Sequence, residues 1–327
     1  MLRIGIGFGL NRGGVLPPPP PPSTDFIIKV KTDNAGTSED NQFTLPCFGS
    51  GYDFTATWDN GDTTTHTGTP GNITFTRPTV GEHTLTISGT FPRIFFNNAD
   101  DKSKLIETVN FGDVGWTSMS RAFLGCNNMV ITPTCTGVMP SGSYDRAWAN
   151  CTSLSSFPAL DLSGGTNFSQ SWFNCTSLSS FPAIDLSGGT DFGNTWNGCS
   201  SMVAFNATAL GSGSYTNTWR DCSSLSSFPA LDLSGGTDFQ STWNGLGVMT
   251  SFATRLFYNM TNGGSCFNNT TLPTSDWSDI LVTQRANNVN TGVTFHGGNS
   301  KYNPAGGVAR GELVTIQSWS IIDGGAE

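Results

Sequence analysis

The stretch Cys151-Thr-Ser-Leu-Ser-Ser-Phe-Pro-Ala-Leu-Asp-Leu-Ser-Gly-Gly-Thr-Asn-Phe168 decides the fold, because the chain repeats it. Close copies begin at Cys175 and Cys222, and diverged copies begin at Cys126 and Cys199. The five cysteines are spaced by 25, 24, 24 and 23 residues. A fixed period in this range predicts a solenoid, in which each copy forms one coil and stacked coils bury a continuous core.

Large side chains recur at fixed positions within each copy, and we expect them to face the core. The stretch Ser163-Gly-Gly-Thr166 predicts a turn, because glycine tolerates positive φ. Phe168 and Trp172 then return to the core four residues apart, as on one helical turn. A tryptophan stands three residues before each of four repeat cysteines, at Trp148, Trp172, Trp196 and Trp219.

The repeat cysteines predict a ladder of buried free thiols. Neighbouring coils of a β-solenoid lie about 4.8 Å apart, and side chains in register point the same way. That geometry disfavours a disulfide, which remains the alternative. The period assigns no place to Cys47, Cys135 and Cys266.

Composition and charge exclude several classes of protein. Only 12% of the 327 residues are charged, the net charge is −9, and glycine is abundant at 40 residues. An acidic chain lacks the basic face that a nucleic-acid partner requires. The sequence contains no apolar run long enough to predict a membrane span. The turn-rich composition predicts a mainly β fold.

The N-terminal residues 1–24 predict an anchoring tip on a stiff spacer. The run Pro17–Pro22 favours polyproline II, and the glycine-rich segment before it lacks the features of a secretory signal peptide. We expect the tip to dock into other virion proteins. Its candidate anchoring residues are Met1, Leu2, Ile4, Ile6, Phe8 and Leu10.

Residues 25–111 predict a small β-sandwich, because short alternating runs are separated by turn signals. The expected strands are Phe26–Lys31, Tyr52–Trp58, His66–Phe75, Glu82–Ser88 and Phe91–Phe96. The turn Trp58-Asp-Asn-Gly-Asp62 and the later Gly81-Glu-His-Thr-Leu-Thr-Ile87 resemble the polycystic-kidney-disease-type immunoglobulin-like domain. That family has a glycine at the position of Asn60 and a tyrosine at the position of His83. The resemblance implies an extracellular spacer or binding module.

Residues 112–272 contain the repeats. The junctions Arg121-Ala-Phe-Leu-Gly-Cys126 and Ala147-Trp-Ala-Asn-Cys151 resemble the bacterial-surface-protein type of leucine-rich repeat. The resemblance implies a leucine-rich-repeat-type solenoid of the kind found on bacterial surfaces and in phage structural proteins, where it mediates attachment.

Residues 273–327 depart from the period and predict a mixed α/β C-terminal cap over the open end of the solenoid. Leu272–Gln284 and Val308–Ile316 predict helices, the first capped by Thr274 or Ser275 with Trp277, Ile280 and Leu281 on one face. Gly292–Gly298 and Ser318–Gly325 predict strands. This segment resembles the ending that follows such repeats in phage and bacterial surface proteins.

No catalytic motif stands out, and we expect no enzyme and no bound cofactor. Two rows of oxygen-bearing side chains share repeat positions: Asp161, Asp185 and Asp232, and Asn167, Asp191 and Asp238. Stacked carboxylates are the ligands of Ca²⁺. Hydrogen bonds from nearby backbone N–H groups explain the same residues without metal, and we favour that interpretation. Calcium remains the alternative.

The combined pattern predicts a phage virion structural protein, a tail or head fibre or adhesin anchored by its N-terminus, that presents the solenoid to a host surface glycan or protein. Candidate ligand-contact residues are the variable polar positions Asn167, Gln170, Asp191, Asn194, Asp238 and Gln240. A homo-oligomer is compatible with this hypothesis. The alternatives are a secreted bacterial cell-surface adhesin and a polysaccharide-degrading tailspike, which would need a pair of carboxylates.

Overall fold

The computed structural model describes residues 24–254 and 257–327. These residues form a mainly β structure with two α-helices near the C-terminus. The predicted anchoring residues Met1, Leu2, Ile4, Ile6, Phe8 and Leu10 lie outside the described residues, as does the proline run.

The N-terminal region contains seven strands in two sheets. They are β1 (Phe26–Lys31), β2 (Gln42–Leu45), β3 (Tyr52–Trp58), β4 (Thr63–Gly68), β5 (Ile73–Thr76), β6 (Glu82–Thr90) and β7 (Leu105–Asn110). The larger sheet has the order β4-β3-β6-β1-β7-β8, in which β8 is the short strand Val130–Ile131, and β2 pairs with β5. Trp58 of β3 meets Phe43 of β2 and Phe75 of β5 at ring distances of 6.5 and 5.3 Å, so the two sheets pack face to face.

The predictions for this region are partly confirmed. β1 and β3 have the expected bounds, and β6 extends two residues beyond its predicted end. The single strand expected over His66–Phe75 is wrong, because β4 and β5 belong to different sheets. The strand expected over Phe91–Phe96 is reduced to a bridge between Ile94 and Cys47.

A buried charge cluster orders the long connection between β1 and β2. Asp101 accepts hydrogen bonds from the backbone N–H groups of Thr37, Ser38 and Thr44 at 2.6–3.0 Å. Lys104 Nζ donates to the carbonyls of Ser38, Glu39 and Gln42. Both charged side chains are completely buried, so the loop folds around them.

The repeats continue directly from the larger sheet, because β7 pairs in parallel with β8 (Val130–Ile131) across the predicted boundary at residue 111. Their strands are short: β9 (Gly142–Ser143), β10 (Gly165–Asn167), β11 (Ser180–Phe181), β12 (Asp185–Leu186), β13 (Ala204–Phe205), β14 (Ala209–Leu210), β15 (Gly213–Ser214), β16 (Ser227–Phe228), β17 (Gly236–Asp238), β18 (Gly247–Val248), β19 (Ser251–Phe252) and β20 (Thr270–Thr271). Each pairs in parallel with the equivalent strand of a neighbouring repeat.

Stacked aromatic side chains fill the core of the repeats. The central ladder consists of Trp148, Trp172, Trp196, Trp219 and Trp243, with successive ring centroids 5.2–5.7 Å apart and planes within 14° of parallel. A second ladder runs from Tyr144 to Phe239 and a third from Phe157 to Phe252. The rings of the third ladder meet the tryptophans edge to face, an arrangement that aromatic pairs prefer.

The turn before each repeat cysteine is not the helical turn predicted from the Phe168 to Trp172 spacing. The residue two before the central aromatic is left-handed in every repeat, as at Gln170 with φ 55° and Asn194 with φ 57°. The residue two after it is also left-handed, as at Asn150 and Gly198. Asparagine and glycine tolerate this conformation better than other residues, which explains their recurrence there.

The glycine pair of the repeat is required for a different reason from the one predicted. Gly165, Gly189 and Gly236 do not have positive φ. A Cβ atom on Gly165 would lie 2.3 Å from the ring of Phe168, and one on Gly189 would lie equally close to Phe192. The second glycine is therefore conserved between copies because an aromatic ring occupies the space of its side chain.

The predicted thiol ladder is confirmed. All eight cysteines are free and buried. Cys175 Sγ donates to the carbonyl of Trp148 in the preceding repeat at 3.2 Å, and Cys151, Cys199 and Cys222 donate in the same way. Thr270 takes over at the end of the stack, where its hydroxyl donates to the Trp243 carbonyl at 2.6 Å. These donors give a second hydrogen bond to the carbonyl of the central aromatic in five repeats, and Leu246 leaves the Trp219 carbonyl without one.

The C-terminal segment contains α1 (Thr274–Asn287), β21 (Thr294–His296), α2 (Pro304–Ile316) and β22 (Ser320–Ile322). Trp277, Ile280 and Leu281 of α1 are buried as predicted. The predicted cap by Thr274 or Ser275 is wrong, because the helix begins after Pro273 with no side-chain cap. The second helix starts four residues earlier than predicted, where Asn303 Oδ1 accepts from Gly306 N at 3.0 Å. β21 pairs in parallel with β22.

Candidate functional site

The predicted ligand-contact residues lie together on one side of the repeats. Asn167, Asp191 and Asp238 form a row in which neighbours are joined by parallel bridges, with Ser214 completing it. The Oδ1 atoms accept from the backbone N–H groups of Ser169, Gly193 and Gln240 at 2.8–3.0 Å. This row therefore holds the turn of each repeat, which confirms the turn bonding predicted for it.

The other three predicted residues do not share one position. Gln170 and Asn194 occupy the left-handed position of their repeats, whereas Gln240 aligns with Ser169 and Gly193, one residue earlier. Gln170 Oε1 accepts from Arg146 Nε at 3.0 Å. Gln240 is exposed and follows Asp238 of the row by two residues.

A second acidic row, formed by Asp161, Asp185 and Asp232, is exposed. Its Oδ1 atoms accept from the backbone N–H two residues later at 2.8–3.0 Å. The Ser163 hydroxyl also donates to Asp161, and these hydrogen bonds hold the pKa of Asp161 below its ordinary value. Within residues 24–254 and 257–327, no three His, Cys, Asp or Glu side chains lie close enough to share a metal ion.

Exposed hydroxyl side chains form a third row on the repeats. Ser155, Ser179, Ser226 and Thr250 occupy one position, and the hydroxyls of Ser179 and Thr250 donate to the carbonyl of the preceding repeat at 3.1 and 2.9 Å. Hydroxyl groups both donate and accept, so this row is suited to hydrogen bonding with neutral polar ligands.

The repeat 199–221 interrupts these rows. Val203 replaces the row serine and is 58% exposed, Asn206 replaces the proline, and Ala209 replaces the aspartate. Two cavities lie where this repeat meets the next one. The first, about 270 Å³, includes Ala209, Ser212 and Asp232 in its lining, and the second, about 280 Å³, includes Asn206, Phe228 and Pro229.

The sequence pattern does not predict these cavities, because the repeat period assigns residues 199–221 the same core positions as the other copies. The available signal was the simultaneous loss of serine, proline and aspartate at three row positions of one repeat. Ala209 lines the first cavity and Asn206 the second, whereas Val203 lies outside both linings. We call the two cavities the notch of repeat 199–221.

Charge on the repeats is sparse and acidic. Residues 126–254 contain seven aspartates, two arginines, no lysine and no glutamate. Arg146 and Arg220 lie 3.3 Å from the neighbouring Asp145 and Asp221. The remaining aspartates belong to the two rows, so the surface around the notch is polar and negative.

The buried thiols offer no nucleophile. Burial raises the pKa of Cys175 to about 12 and that of Cys199 well above its ordinary value. A thiolate is the reactive form, so these cysteines are unreactive in the folded protein. No described helix is long and apolar enough to cross a membrane.

Comparison with known proteins supplies no relative from which a function can be carried over. No protein-family model, curated protein or solved structure matches this chain. The proposed function therefore rests on the residues of this chain alone.

Proposed function

We propose that the protein is an attachment protein of a phage virion, a tail or head fibre or adhesin, which binds a host surface glycan through its repeats. In this proposal residues 25–111 are an immunoglobulin-like sandwich, residues 112–272 a leucine-rich-repeat-type solenoid and residues 273–327 its cap. The N-terminal tip docks into other virion proteins.

The observation that carries the proposal is the notch of repeat 199–221. Repeats 151–174, 175–198 and 222–245 each carry the hydroxyl, the proline and the carboxylate of these rows, whose backbone contacts explain them structurally. Two adjacent cavities coincide with the one repeat that loses three row residues. Thr208, Ser212 and Asp232 line the first cavity, and Phe228 and Pro229 line the second, so the two together supply the mixed polar and apolar contacts that a sugar residue needs.

The proposal favours binding over catalysis. The row carboxylates Asp185 and Asp232 are exposed and already accept hydrogen bonds from backbone N–H groups of their own turns, so in this proposal they stabilise turns and do not form a catalytic pair. Incubation with capsule or lipopolysaccharide should release no oligosaccharide. Release would instead identify a polysaccharide-degrading tailspike.

A double variant that restores the repeat consensus tests the binding surface. Asn206→Pro with Ala209→Asp restores the side chains that neighbouring repeats have at these positions, and the proline also removes the hydrogen bond from Asn206 N to the Phe181 carbonyl. We expect binding to purified bacterial surface polysaccharides to fall at least about tenfold, a loss of about 1.4 kcal/mol. The control Asp161→Ala makes the reverse change in an intact repeat and should leave binding unchanged. Full binding by a folded double variant would refute the role of the notch.

The location of the protein distinguishes a virion protein from a cell-surface adhesin, since the same binding surface would suit both. Gold-labelled antibody should decorate purified phage particles, and deletion of residues 1–22 should abolish incorporation. Labelling of uninfected cells alone would establish the cell-surface adhesin.

A further inference from the structure

Three arginines lie close together where the N-terminal sheets meet the first repeats. Arg93 Nη2 donates to the carbonyl of Ser120 at 3.2 Å, and Ser120 directly precedes Arg121. Arg121 Nε and Arg146 Nη1 lie 3.5 and 3.3 Å from the same atom, Asp145 Oδ2. Three guanidinium groups and one carboxylate leave an excess of two positive charges. We call the three arginines the arginine cluster.

The cluster has exposed donors that the protein itself does not use. The side chains of Arg121 and Arg146 are 41% and 33% exposed. Arg146 Nε donates to Gln170 Oε1 at 3.0 Å, whereas the described residues form no hydrogen bond with the Arg121 guanidinium. A guanidinium carries five N–H donors in a planar fork that fits a carboxylate or a phosphate. These donors are therefore available to an anion from solution.

The charge of the turns changes sign along the repeats. Arg121 and Arg146 occupy the left-handed position two residues before the central aromatic. Later repeats carry neutral residues there: Gln170, Asn194, Asn217, Ser241 and Ser265. The row that includes Asp191 begins instead with Ser118 and Ser143, whose hydroxyls accept from the backbone N–H two residues later. The arginine cluster is thus the basic end of a surface that is otherwise neutral to acidic, and its field attracts anions.

The arginines also cost stability where they stand. Arg121 and Arg146 have φ 56° and 52°, a left-handed conformation in which asparagine is enriched several-fold. Asn194 and Asn217 occupy this position in later repeats. Burial lowers the pKa of Arg93, and the positive charge of Arg121 acts in the same direction, so the cluster repels itself. Strained backbone and like charges held together are found most often at functional sites.

An exposed aromatic ring adjoins the cluster. The guanidinium carbon of Arg93 lies 4.8 Å from the ring centre of Phe48 and 4.5 Å from that of Phe95. Phe48 is 53% exposed. The ring offers an apolar contact to C–H groups, and the guanidinium beside it offers a charged one. A sugar that carries a charged substituent has both of the matching parts.

We propose that the arginine cluster binds the anionic group of a charged surface glycan, a carboxylate or a phosphate borne on a sugar. Arg121 and Arg146 donate to the anion, and Arg93 with Phe48 contacts the sugar that carries it. The site lies at the first repeats, apart from the notch, and it stands whether or not repeat 199–221 binds a glycan.

The test measures the binding of defined oligosaccharides to the full chain by isothermal titration calorimetry. Tetragalacturonate supplies the carboxylate, phosphorylated maltotetraose supplies the phosphate, and maltotetraose is the neutral control. We expect at least one anionic probe to bind saturably and more tightly than maltotetraose. Its association constant should fall as sodium chloride is added, because salt screens exposed charges. The stronger of the two anionic probes identifies the group that the cluster prefers.

Matched variants assign the anion to the cluster. Arg121→Gln introduces the residue that the next repeats carry at Gln170, and should weaken the anionic probe about tenfold by removing a charged hydrogen bond. Arg220→Gln removes a charge that is 46% exposed and lies beside Asp221 in a later repeat, and should leave the affinity unchanged. Asp145→Asn removes the carboxylate that competes with the anion, and should tighten binding roughly threefold.

Three results would overturn the proposal. They are the absence of saturable binding with both anionic probes, equal weakening by Arg121→Gln and Arg220→Gln, and failure of a folded Asp145→Asn variant to bind the probe more tightly. The double variant Asn206→Pro with Ala209→Asp should bind the anionic probe as the parent does. Loss of binding in that variant, with full binding by Arg121→Gln, would support the notch and refute the arginine cluster.

Discussion

The N-terminal sheets and the repeats bury aromatic side chains by different means. In the N-terminal region, residues 26–110, strands of up to nine residues pair antiparallel with distant partners, as Phe26 does with Ile87. In the repeats, residues 126–269, strands of two or three residues pair in parallel with the next copy. The first core depends on specific long-range register, and the second depends on repetition.

The difference extends to charge. The N-terminal region buries three charged side chains, Arg77, Asp101 and Lys104. In the repeats, buried hydroxyls and thiols donate to carbonyls of the preceding copy, whereas the indole N–H groups of the tryptophan ladder have no acceptor among the described residues. A non-repeating core can surround one specific polar group, whereas a repeat places the same polar group, satisfied or not, in every copy.

The largest effect is expected for Trp196→Ala, which removes the middle of the central ladder. The lost burial and the cavity should lower the free energy of unfolding by about 3–5 kcal/mol. Because Trp196 stacks on both Trp172 and Trp219, hydrogen exchange should accelerate in both neighbouring repeats. β1 and β6 should keep their protection. Equal acceleration in those strands would show that the two regions unfold as one unit.

Asp101→Asn tests the buried charges of the other region and should cost about 3 kcal/mol, because Lys104 loses its buried counter-charge. Burial acts to raise the pKa of Asp101, but hydrogen bonds from Ser38 and Thr44 and the charge of Lys104 hold it below 3.8. A lowered pKa contributes stability above about pH 4 that is lost as pH falls through the folded value.

Urea denaturation of the parent and Asp101→Asn proteins at pH 7 and pH 3 measures this contribution. The parent should lose more stability on acidification than the variant does. Asp185→Asn, an exposed row residue, serves as the control. An identical pH dependence for parent and Asp101→Asn would contradict the assignment.

A smaller loss is expected for Gly165→Ala in the repeats. The new Cβ would lie 2.3 Å from the Phe168 ring, and overpacking of this kind costs about 1–3 kcal/mol. Gly311→Ala in α2 meets nothing within 4 Å and should stabilise the helix by about 0.5–1 kcal/mol. Thermal melts of the two variants should therefore shift in opposite directions, and a shared direction would show that the Phe168 ring can move aside.

The smallest effect concerns the order in which thiols react, with no change of stability. Cys47 and Cys135 are each 6% exposed, whereas the five cysteines of the repeat ladder are inaccessible. Brief treatment of the folded protein with an alkylating reagent should modify Cys47 and Cys135 first. Peptide mass spectrometry gives the order, and early modification of Cys175 would show that the repeats open more readily than the N-terminal sheets.

The repeat core could be predicted because one period determines which side chains face inward. The reason for the glycine pair could not, because it depends on where the ring of Phe168 lies after folding. In the N-terminal region, β2 and β7 escaped prediction, and so did the Asp101 cluster. Asp101 meets Ser38 and Thr44 across 63 and 57 residues, a separation that no local pattern encodes.

The same limit applies to the candidate sites. The polar rows were predicted from their recurrence, and their structural role follows from turn hydrogen bonds within two residues. The notch arises where a diverged copy meets the next one. Its sides come from separate segments, which become neighbours only in the folded chain.

The tryptophan ladder also has a spectroscopic consequence. Five indoles with nearly parallel planes at 5.2–5.7 Å lie close enough for their electronic transitions to couple. Light absorbed by one ring is shared along the column, which gives paired circular-dichroism bands and depolarised fluorescence. Loss of those bands reports separation of the coils directly, so the column is a built-in gauge of whether the repeats remain stacked.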